Sequence, residues 1–556
     1  MHTTSRETET QQDVFPTLGS ENIAASQSTL VRAVKQEVEQ SDRYNYTLKI
    51  NPIDMADRSP AIVVVGAGVA GLAAAKKLKE YGFNDVTVLE ASEKVGGRVA
   101  TATLGNACVD TGAQYIHGAS EENPVYSLLK KSGLLNQIPE MGEEAFYSNK
   151  GHKVDANFAK NAYGAGEKII LYRGSNTGKS LGEHYAEKTQ GMIDSLQDND
   201  KRTRMQSVFA LVGKDMLIDV GASDLSKISL DSWQYYINMG DSLNIAGLMF
   251  QLVDKLLEDF PKDRLLLKRE VSKIKWDGSF SVAPPHDEPL LSAHTESASE
   301  EKVCQYPVCI VCENGEEILA DHVIVTISLG CLKAQASSLF IPSLPTEKME
   351  AIEKLCFGNI AKIFLDYEEA FWESDLGTIS LIYEDDTPAS VSTNKLQWLK
   401  NMQNFSVLRP KERFGNILIG WCPGDIADLV ETMTDDELST AITDHLKMFL
   451  GHSNIPQPKS ILCTKWRSNK FIKGTYAFLP VGVDGNVMDT LAQPLVGSQH
   501  PNKDLQVLFA GEATLKTLYG TVQGALLSGH READRLAAHY KKTLAPTSAT
   551  SVDKQV

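Results

Sequence analysis

AIVVVGAGVAGLAAAKKLKEYGFNDVTVLEAS, from Ala61 to Ser92, decides how the rest of the chain reads. A β-branched run, Ile62 to Val65, breaks into Gly66, Gly68 and Gly71, then an alanine-rich helical stretch, then a second strand ending at Glu90. Strand, glycine turn, helix and strand in that order form a βαβ unit with a dinucleotide fingerprint. The glycines have separate tasks. Gly66 permits the tight turn, Gly68 lets backbone approach a pyrophosphate, and Gly71 lets helix and strand pack closely. The helix N-terminus then presents unpaired N–H groups and a partial positive charge to the phosphates. Glu90 falls within the usual reach of about 20 residues after the glycines, so its carboxylate is placed for an adenosine ribose and argues against a 2′-phosphate.

Around this unit, 556 residues predict two or more lobes. The net charge of −17, from 72 acids against 55 bases, argues against nucleic acid; it would attract a cationic ligand and equally suits the ordinary solubility of an acidic protein. Of eight cysteines only Cys309 and Cys312 have C-x-x-C spacing, and they sit in an alternating run, VCIVCENGEEI. That run reads as a buried strand, so no metal site is expected. The cysteine usage suits a reducing compartment. No run approaches the roughly 18 apolar residues of a membrane span and no apolar h-region opens the chain, so a soluble protein without membrane contact is expected. The C-terminal DKQV lacks an S-K-L type address, which makes the cytoplasm the expected location, with nucleus and peroxisome left open. Monomer and homodimer are both compatible with the sequence.

In chain order, residues 1–59 are polar and aperiodic and read as a flexible extension, with a short helix between Thr29 and Glu39. Residues 60–125 carry the nucleotide unit, followed by VGGR and CVDTGAQYIHG. From 126 to 260 the pattern turns helical, best seen in Leu248, Leu252, Val253, Leu256, Leu257 and Phe260. Residues 261–345 return to strands, with a turn at Asn314-Gly315 and a Pro-, Ser- and Glu-rich insertion over 283–302. Residues 346–480 hold the strands KIFLDY, TISLIYED, NILIGWC and SILCTKW. Among them lies one helix with a capping box at Thr434 and Glu437 and Gly451 past its end. Residues 481–541 supply a last strand, LQVLFAGEAT, and a long helix, leaving 542–556 as a tail. The fold class is α/β: a Rossmann-type lobe assembled from separated segments, plus an α+β lobe with a mostly antiparallel sheet.

The stretches VVVGAGVAGLAAA with VTVLEAS, VGGRV, GAQYIHG, DHVIVTISLG, FGNIAKIFLDYEEAFW, KGTYAFLPVG and LFAGEATLKTLYGTVQGALLSGHREADRL together resemble the FAD-dependent amine oxidases, closest to the spermine and acetylpolyamine oxidases. The resemblance covers about residues 60 to 540. It makes 60–125, 261–345 and 481–541 an FAD-binding domain and 126–260 with 346–480 a substrate domain. It implies that Gly96, Gly97, Arg98, Gly511 and Glu512 hold the flavin half of FAD and that the backbone at Val271 meets the adenine. The helix beginning at Thr521, Val522 and Gln523 would aim its positive end at the flavin's pyrimidine edge. GTYAFLPVG matches the segment that carries the flavin linkage in covalent relatives but contains no cysteine, so non-covalent FAD is expected.

By the same resemblance Lys362 holds a water beside the hydride-accepting flavin nitrogen. On a strand it shares a face with Phe364 and Asp366, so it can point into a cavity between lobes. The implied reaction is hydride transfer from a neutral amine to FAD, hydrolysis of the iminium to an aldehyde and a shorter amine, and reoxidation by O2 to hydrogen peroxide. The protein supplies orientation, a dry cavity and control of protonation. His117 is kept from the family pattern and reads equally as a residue of the cavity or as a structural histidine. Gln114, Tyr115, Leu515 and Gln523 depart from that pattern. Tyr476 matches one aromatic wall, while Leu518 falls where an aromatic is usual, with Tyr519 beside it. Gln114, Tyr115, Tyr476 and Tyr519 are therefore the candidate substrate contacts. Near Gly213 no acid is assigned to pair with a polyamine nitrogen. The expected function is FAD-dependent oxidation of a polyamine or acetylated polyamine. The alternatives are a smaller or more apolar amine, suggested by Leu515 and Leu518, and a flavin-binding interaction protein that no longer turns over.

Overall fold

The computed structural model describes residues 59–138, 140–172, 177–281, 305–385, 395–498 and 504–544. The N-terminal extension with its 29–39 helix, the 283–302 insertion and nearly all of the C-terminal tail lie outside them.

The opening stretch folds as expected: β1 (Ile62–Val65), α1 (Val69–Glu80) and β2 (Val86–Glu90). β1 is central to a six-stranded sheet, parallel to β2 on one side and to His322–Val325 on the other. Leu265–Leu267 extends the sheet beyond β2, and Leu505–Phe509 extends it beyond His322–Val325, both parallel. Segments from three separated parts of the chain thus complete one nucleotide-binding sheet. Its central strands are apolar on both faces because both are covered: Ile62, Val64 and Val88 pack under helices, and Val63, Val65 and Leu89 share a cluster with Val271, Ile274, Val308 and Ile310 of a four-stranded sheet. On one face α1 lies against the long helix Val522–Leu544, with Leu72, Leu78, Leu526, Ala533 and Leu536 in one buried cluster. Gly66 takes φ +109°, and a Cβ on Gly71 would stand 2.0 Å from the Gly66 carbonyl oxygen, so the turn and the helix start require glycine at both positions.

The second sheet has seven strands in the order Ser460–Cys463, Ile360–Asp366, Ile417–Pro423, Asn404–Val407, Leu376–Ile382, Glu143–Ser148, His152–Lys153. Its pairings are antiparallel except that Glu143–Ser148 runs parallel to Leu376–Ile382. All four expected strands of 346–480 are in it. Ile360–Asp366 is inside the sheet, and its alternation separates two environments. Ile363 and Leu365 are fully buried in a cluster with Leu438, Ile442, Leu446 and Phe449 of helix Asp435–Leu450, each such side chain contributing about 1.5–3 kcal/mol. Lys362, Phe364 and Asp366 face the other way. That helix has the expected capping box at Thr434 and Glu437, and Gly451 at φ 66° ends it.

Several local expectations change in the folded chain. LLLKREVSKIKW is two strands in two sheets, because Lys268 at φ 56° breaks it: Leu265–Leu267 joins β2, and Val271–Lys275 pairs with Val308–Cys312. The 126–260 stretch contributes helices Ala156–Ile170, Leu181–Asp194 and Asn199–Val220, but also the strand Glu143–Ser148. Helix Phe250–Leu257 buries Leu252, Val253 and Leu256 in the same cluster as α1, on the nucleotide-binding side. Asp366, on the same face as Lys362, is buried, accepts from Ser460 Oγ at 3.2 Å and pairs with Lys459. Cys309 and Cys312 are buried on their strand, and Gly315 makes the turn that follows.

Candidate active site

One cavity of about 1460 Å³ runs between the two sheets, lined by Gly66, Gly68, Glu90 and Val271 in the nucleotide-binding sheet region and by Lys362 and Trp421 on the second sheet. At the β1–α1 turn Gly68 is the N-cap of α1 and provides no side-chain cap, which leaves the N–H groups of the first turn open to an anion. The VGGR loop lies against this turn: Gly96 N–H donates to Ala67 O at 2.8 Å, and a Cβ on Gly97 would come 3.3 Å from Gly68 Cα. Glu90 accepts from Ala67 N–H at 2.8 Å on one carboxylate oxygen and from Ser92 N–H at 2.9 Å on the other. It therefore shapes the glycine turn and keeps lone pairs on both oxygens for ribose hydroxyls. Beside it Arg269 N–H donates to Glu90 O, which brings Val271 to the cavity.

Further along, Arg98 donates to Thr475 O at 2.6 Å and to Glu512 Oε1 at 2.7 Å, while Glu512 Oε2 accepts from the N–H groups of Ala477 and Gly520. Glu512 is buried, and its carboxylate ties three segments together at the cavity wall. Thr521 Oγ1 accepts from Gly524 N–H at 3.0 Å, as an N-cap does, and Val522 opens the long helix facing the cavity. A bare-backbone cradle, an open helix N-terminus, an acid placed for a ribose and a second helix start on one cavity wall fit FAD.

Lys362 projects from the middle of the second sheet. Its Nζ donates to Asp110 O at 2.8 Å, Gly112 O at 2.7 Å and Gln114 Oε1 at 3.0 Å. The indole of Trp421, its cross-strand partner, covers it at 4.5 Å. Burial pushes the Lys362 ammonium down from its ordinary range, and the charge of Asp110 pulls it back up. Tyr115 and His117 share one face of the short strand Tyr115–His117, their rings stacked 6.4 Å apart. His117 Nδ1 is 3.1 Å from Ser242 Oγ, and burial lowers its pKa, favouring the neutral ring. Gln523 Nε2 donates to His117 O at 2.7 Å, coupling the helix start to this strand.

Facing these groups is helix Asn199–Val220, which brings Asp215 and Asp219 to the cavity one turn apart. Burial raises Asp215 to about 7, against the hydrogen bond from Tyr163 Oη at 2.8 Å, and the charge of Asp219 adds to the rise. Asp219 is exposed at the cavity wall yet surrounded by enough protein that burial raises it to about 6, with Glu167 adding to the shift. Both acids act on Tyr115, which burial first and then their charge push up to about 12. Tyr476 Oη donates to Ile218 O on the same helix.

The cavity wall thus gathers Gly66, Gly68, Glu90, Gly97, Arg98, Val271, Gly511, Glu512, Thr521, Val522, Gln114, Tyr115, His117, Lys362 and Tyr476. Gly71 stays beneath it as a packing residue. Tyr519 is not on the wall but buried edge-on against Tyr236, and Leu515 and Leu518 are not on it either. Asp215 and Asp219 were missed by sequence reasoning. Their i, i+4 spacing was the available signal, hidden because 150–230 has a weak apolar period. Trp421 was legible as the strand partner of Lys362 only once the register was known.

The family model for flavin containing amine oxidoreductases matches residues 69–537. The chain is 35% identical to the peroxisomal N(1)-acetyl-spermine/spermidine oxidase of Bos taurus, over 86% of this chain and 95% of the relative. It is 34% identical to the Homo sapiens protein of the same name, with the same coverage. Among solved structures, cyclohexylamine oxidase from Brevibacterium oxydans IH-35A superposes with a TM-score of 0.59 at 19% identity, over 87% of this chain and all of that one, a likeness of fold. From the glycine turn at one end of the cavity to the lysine strand at the other, this chain belongs to the flavin-containing amine oxidoreductases, FAD-dependent enzymes that oxidise CH–NH groups of small amines with O2 as acceptor.

Proposed function

We propose that this enzyme oxidises a secondary amine within a polyamine or acetylated polyamine, releasing an aldehyde, a shorter amine and hydrogen peroxide. The observation that carries this reading is the acid pair Asp215 and Asp219 on the cavity wall. A helix rises about 1.5 Å per residue, so the two carboxylates stand roughly 6 Å apart along the axis, a spacing suited to neighbouring nitrogens of a polyamine. Held partly neutral by burial when empty, they ionise as an ammonium enters, so a second positive charge on the substrate is recognised deep in the protein. The names of the two mammalian relatives support the same substrate class. The more apolar alternative rested on Leu515 and Leu518, which are not on the cavity wall.

Gly66, Gly68, Glu90, Arg98 and Glu512 would hold FAD non-covalently, and FAD there would supply the two-electron acceptor and the route to O2. The protein's own part is to bind and orient. Asp215 and Asp219 anchor the distal ammonium; Tyr115 and Tyr476 line the path of the chain. His117, neutral by burial, accepts or donates a hydrogen bond at the reacting amine without adding charge that would oppose its deprotonation. Lys362 stands on the cavity wall as a fixed cation, its three N–H bonds taken by Asp110 O, Gly112 O and Gln114 Oε1. Peroxide release measured with spermine, spermidine, N-acetylated polyamines and a monoamine, with the products identified by mass, tests this reading. Turnover of the monoamine alone would overturn it. We assign the protein to the cytoplasm; imaging of the tagged full chain distinguishes this from the peroxisome named for the mammalian relatives.

A further inference from the structure

The three acceptors around Lys362 Nζ are all neutral: two backbone carbonyls and one carboxamide oxygen. Three donated bonds define the ammonium form, since a neutral amine has only two protons to give. A buried ammonium among neutral dipoles needs a counter-charge. None of the direct partners carries one. The nearest candidate is Asp110, buried on the strand Ala107–Asp110, whose own backbone carbonyl takes one of the three bonds. Its carboxylate does not touch Nζ but accepts from Gly247 N–H, and the Gly247 carbonyl in turn accepts from the guanidinium of Arg413. Contacts therefore run from an exposed arginine through Gly247 to the buried carboxylate of Asp110, the residue whose backbone carbonyl meets the lysine on the cavity wall.

We propose that Asp110 is a positioning residue for this enzyme: its carboxylate, fixed by Gly247 and Arg413, is the counter-charge that keeps Lys362 an ammonium and holds it on Asp110 O, Gly112 O and Gln114 Oε1. This rests on reading Lys362 as the lysine that acts beside the flavin. The electrostatics are consistent with it. Burial lowers Lys362, and Asp110 is the group that opposes the fall; burial raises Asp110, and Lys362, the Gly247 N–H and Arg413 oppose that rise. The other ionisable groups on the cavity wall act elsewhere. Asp215 and Asp219 act on Tyr115, Asp219 acts on Asp215, and His117 is set by burial. On the lysine's own strand, Asp366 is engaged by Lys459 and Ser460.

Removing the carboxylate charge withdraws support from the ammonium, so Lys362 must lose its proton at lower pH. Asp110→Asn keeps an oxygen for the Gly247 N–H and removes only the charge. With flavin-loaded protein, two pH titrations read the effect: the absorbance of the bound flavin without substrate, and the rate at which the reduced protein is reoxidised by O2. The transition that Lys362→Met abolishes is expected to move down by about one pH unit or more in Asp110→Asn, a tenfold or larger change in proton affinity. Asp110→Glu should return it towards its original position. Arg413→Gln, at an exposed site, should shift it in the same direction by less, and serves if Asp110→Asn does not fold. Superimposable titrations of Asp110→Asn, or of Arg413→Gln in its place, and the unaltered protein overturn the proposal. If instead Lys362→Met titrates like the unaltered protein, the reading of Lys362 itself fails.

Discussion

Replacing Asp215 by Asn removes a charge from the cavity wall and changes little else, because the carboxamide oxygen can still accept from Tyr163 Oη, now 2.8 Å away from the carboxylate. In the folded protein burial raises Asp215 to about 7, so near neutral pH the empty site is a mixture of the neutral and ionised acid. An ammonium seated against it favours the ionised form. A charge-assisted hydrogen bond of this kind contributes about 1.5–3 kcal/mol. At about 1.4 kcal/mol per tenfold, Asp215→Asn should weaken binding of a polyamine by roughly 10- to 150-fold and leave a monoamine, which has no second charge, nearly unaffected. The sign of the pH effect follows. The unaltered enzyme should bind polyamine more tightly as pH rises through about 7 and Asp215 ionises, and Asp215→Asn should flatten that rise. The assay is the amine concentration giving half-maximal rate of anaerobic flavin reduction, measured for a polyamine and a monoamine across pH. Equal weakening of both amines, or no weakening of either, would refute the placement of the distal nitrogen at Asp215.

Other outcomes follow from the same geometry. Lys362→Met should slow flavin reduction or reoxidation by orders of magnitude while bound FAD is retained, checked by stopped-flow absorbance and the flavin-to-protein ratio. Glu90→Ala removes the acceptor of Ala67 and Ser92 N–H groups, so FAD should be lost on dialysis and the melting temperature of the apoprotein should fall, in line with about 1–3 kcal/mol for buried donors left unpaired. Acid precipitation should release all the flavin into the supernatant, because the binding is non-covalent; yellow pellet would contradict this. Leu446→Ala, in the cluster beneath the lysine strand, should cost about 2–5 kcal/mol of stability by chemical denaturation.

The nucleotide-binding half was legible because its constraints are local. Gly66, Gly68, Gly71 and Glu90 lie within one βαβ unit, and each answers to a backbone or hydrogen-bonding need that a single stretch of sequence states. Lys362 was legible from alternation on one strand and from the flanking resemblance. The substrate side was less so, because its residues meet only through tertiary structure. Asp215 and Asp219 reach the cavity because helix Asn199–Val220 lies across strands Leu376–Ile382 and Ile417–Pro423, a packing that its weak amphipathic pattern does not announce. Tyr519 was taken for a substrate contact from its neighbour Leu518, but the turn before the long helix points it into the core against Tyr236. Asp110 carried no reading from its sequence neighbours; only the folded chain shows what stands beside it.

The most direct test is anaerobic mixing of the purified yellow protein with spermine, spermidine, N-acetylspermine and a simple monoamine while the oxidised flavin absorbance is followed. Rapid bleaching by a polyamine, and much slower bleaching by the monoamine at equal concentration, is the predicted result. Bleaching by the monoamine as fast as by any polyamine, or none by any of the four with flavin bound, would contradict it.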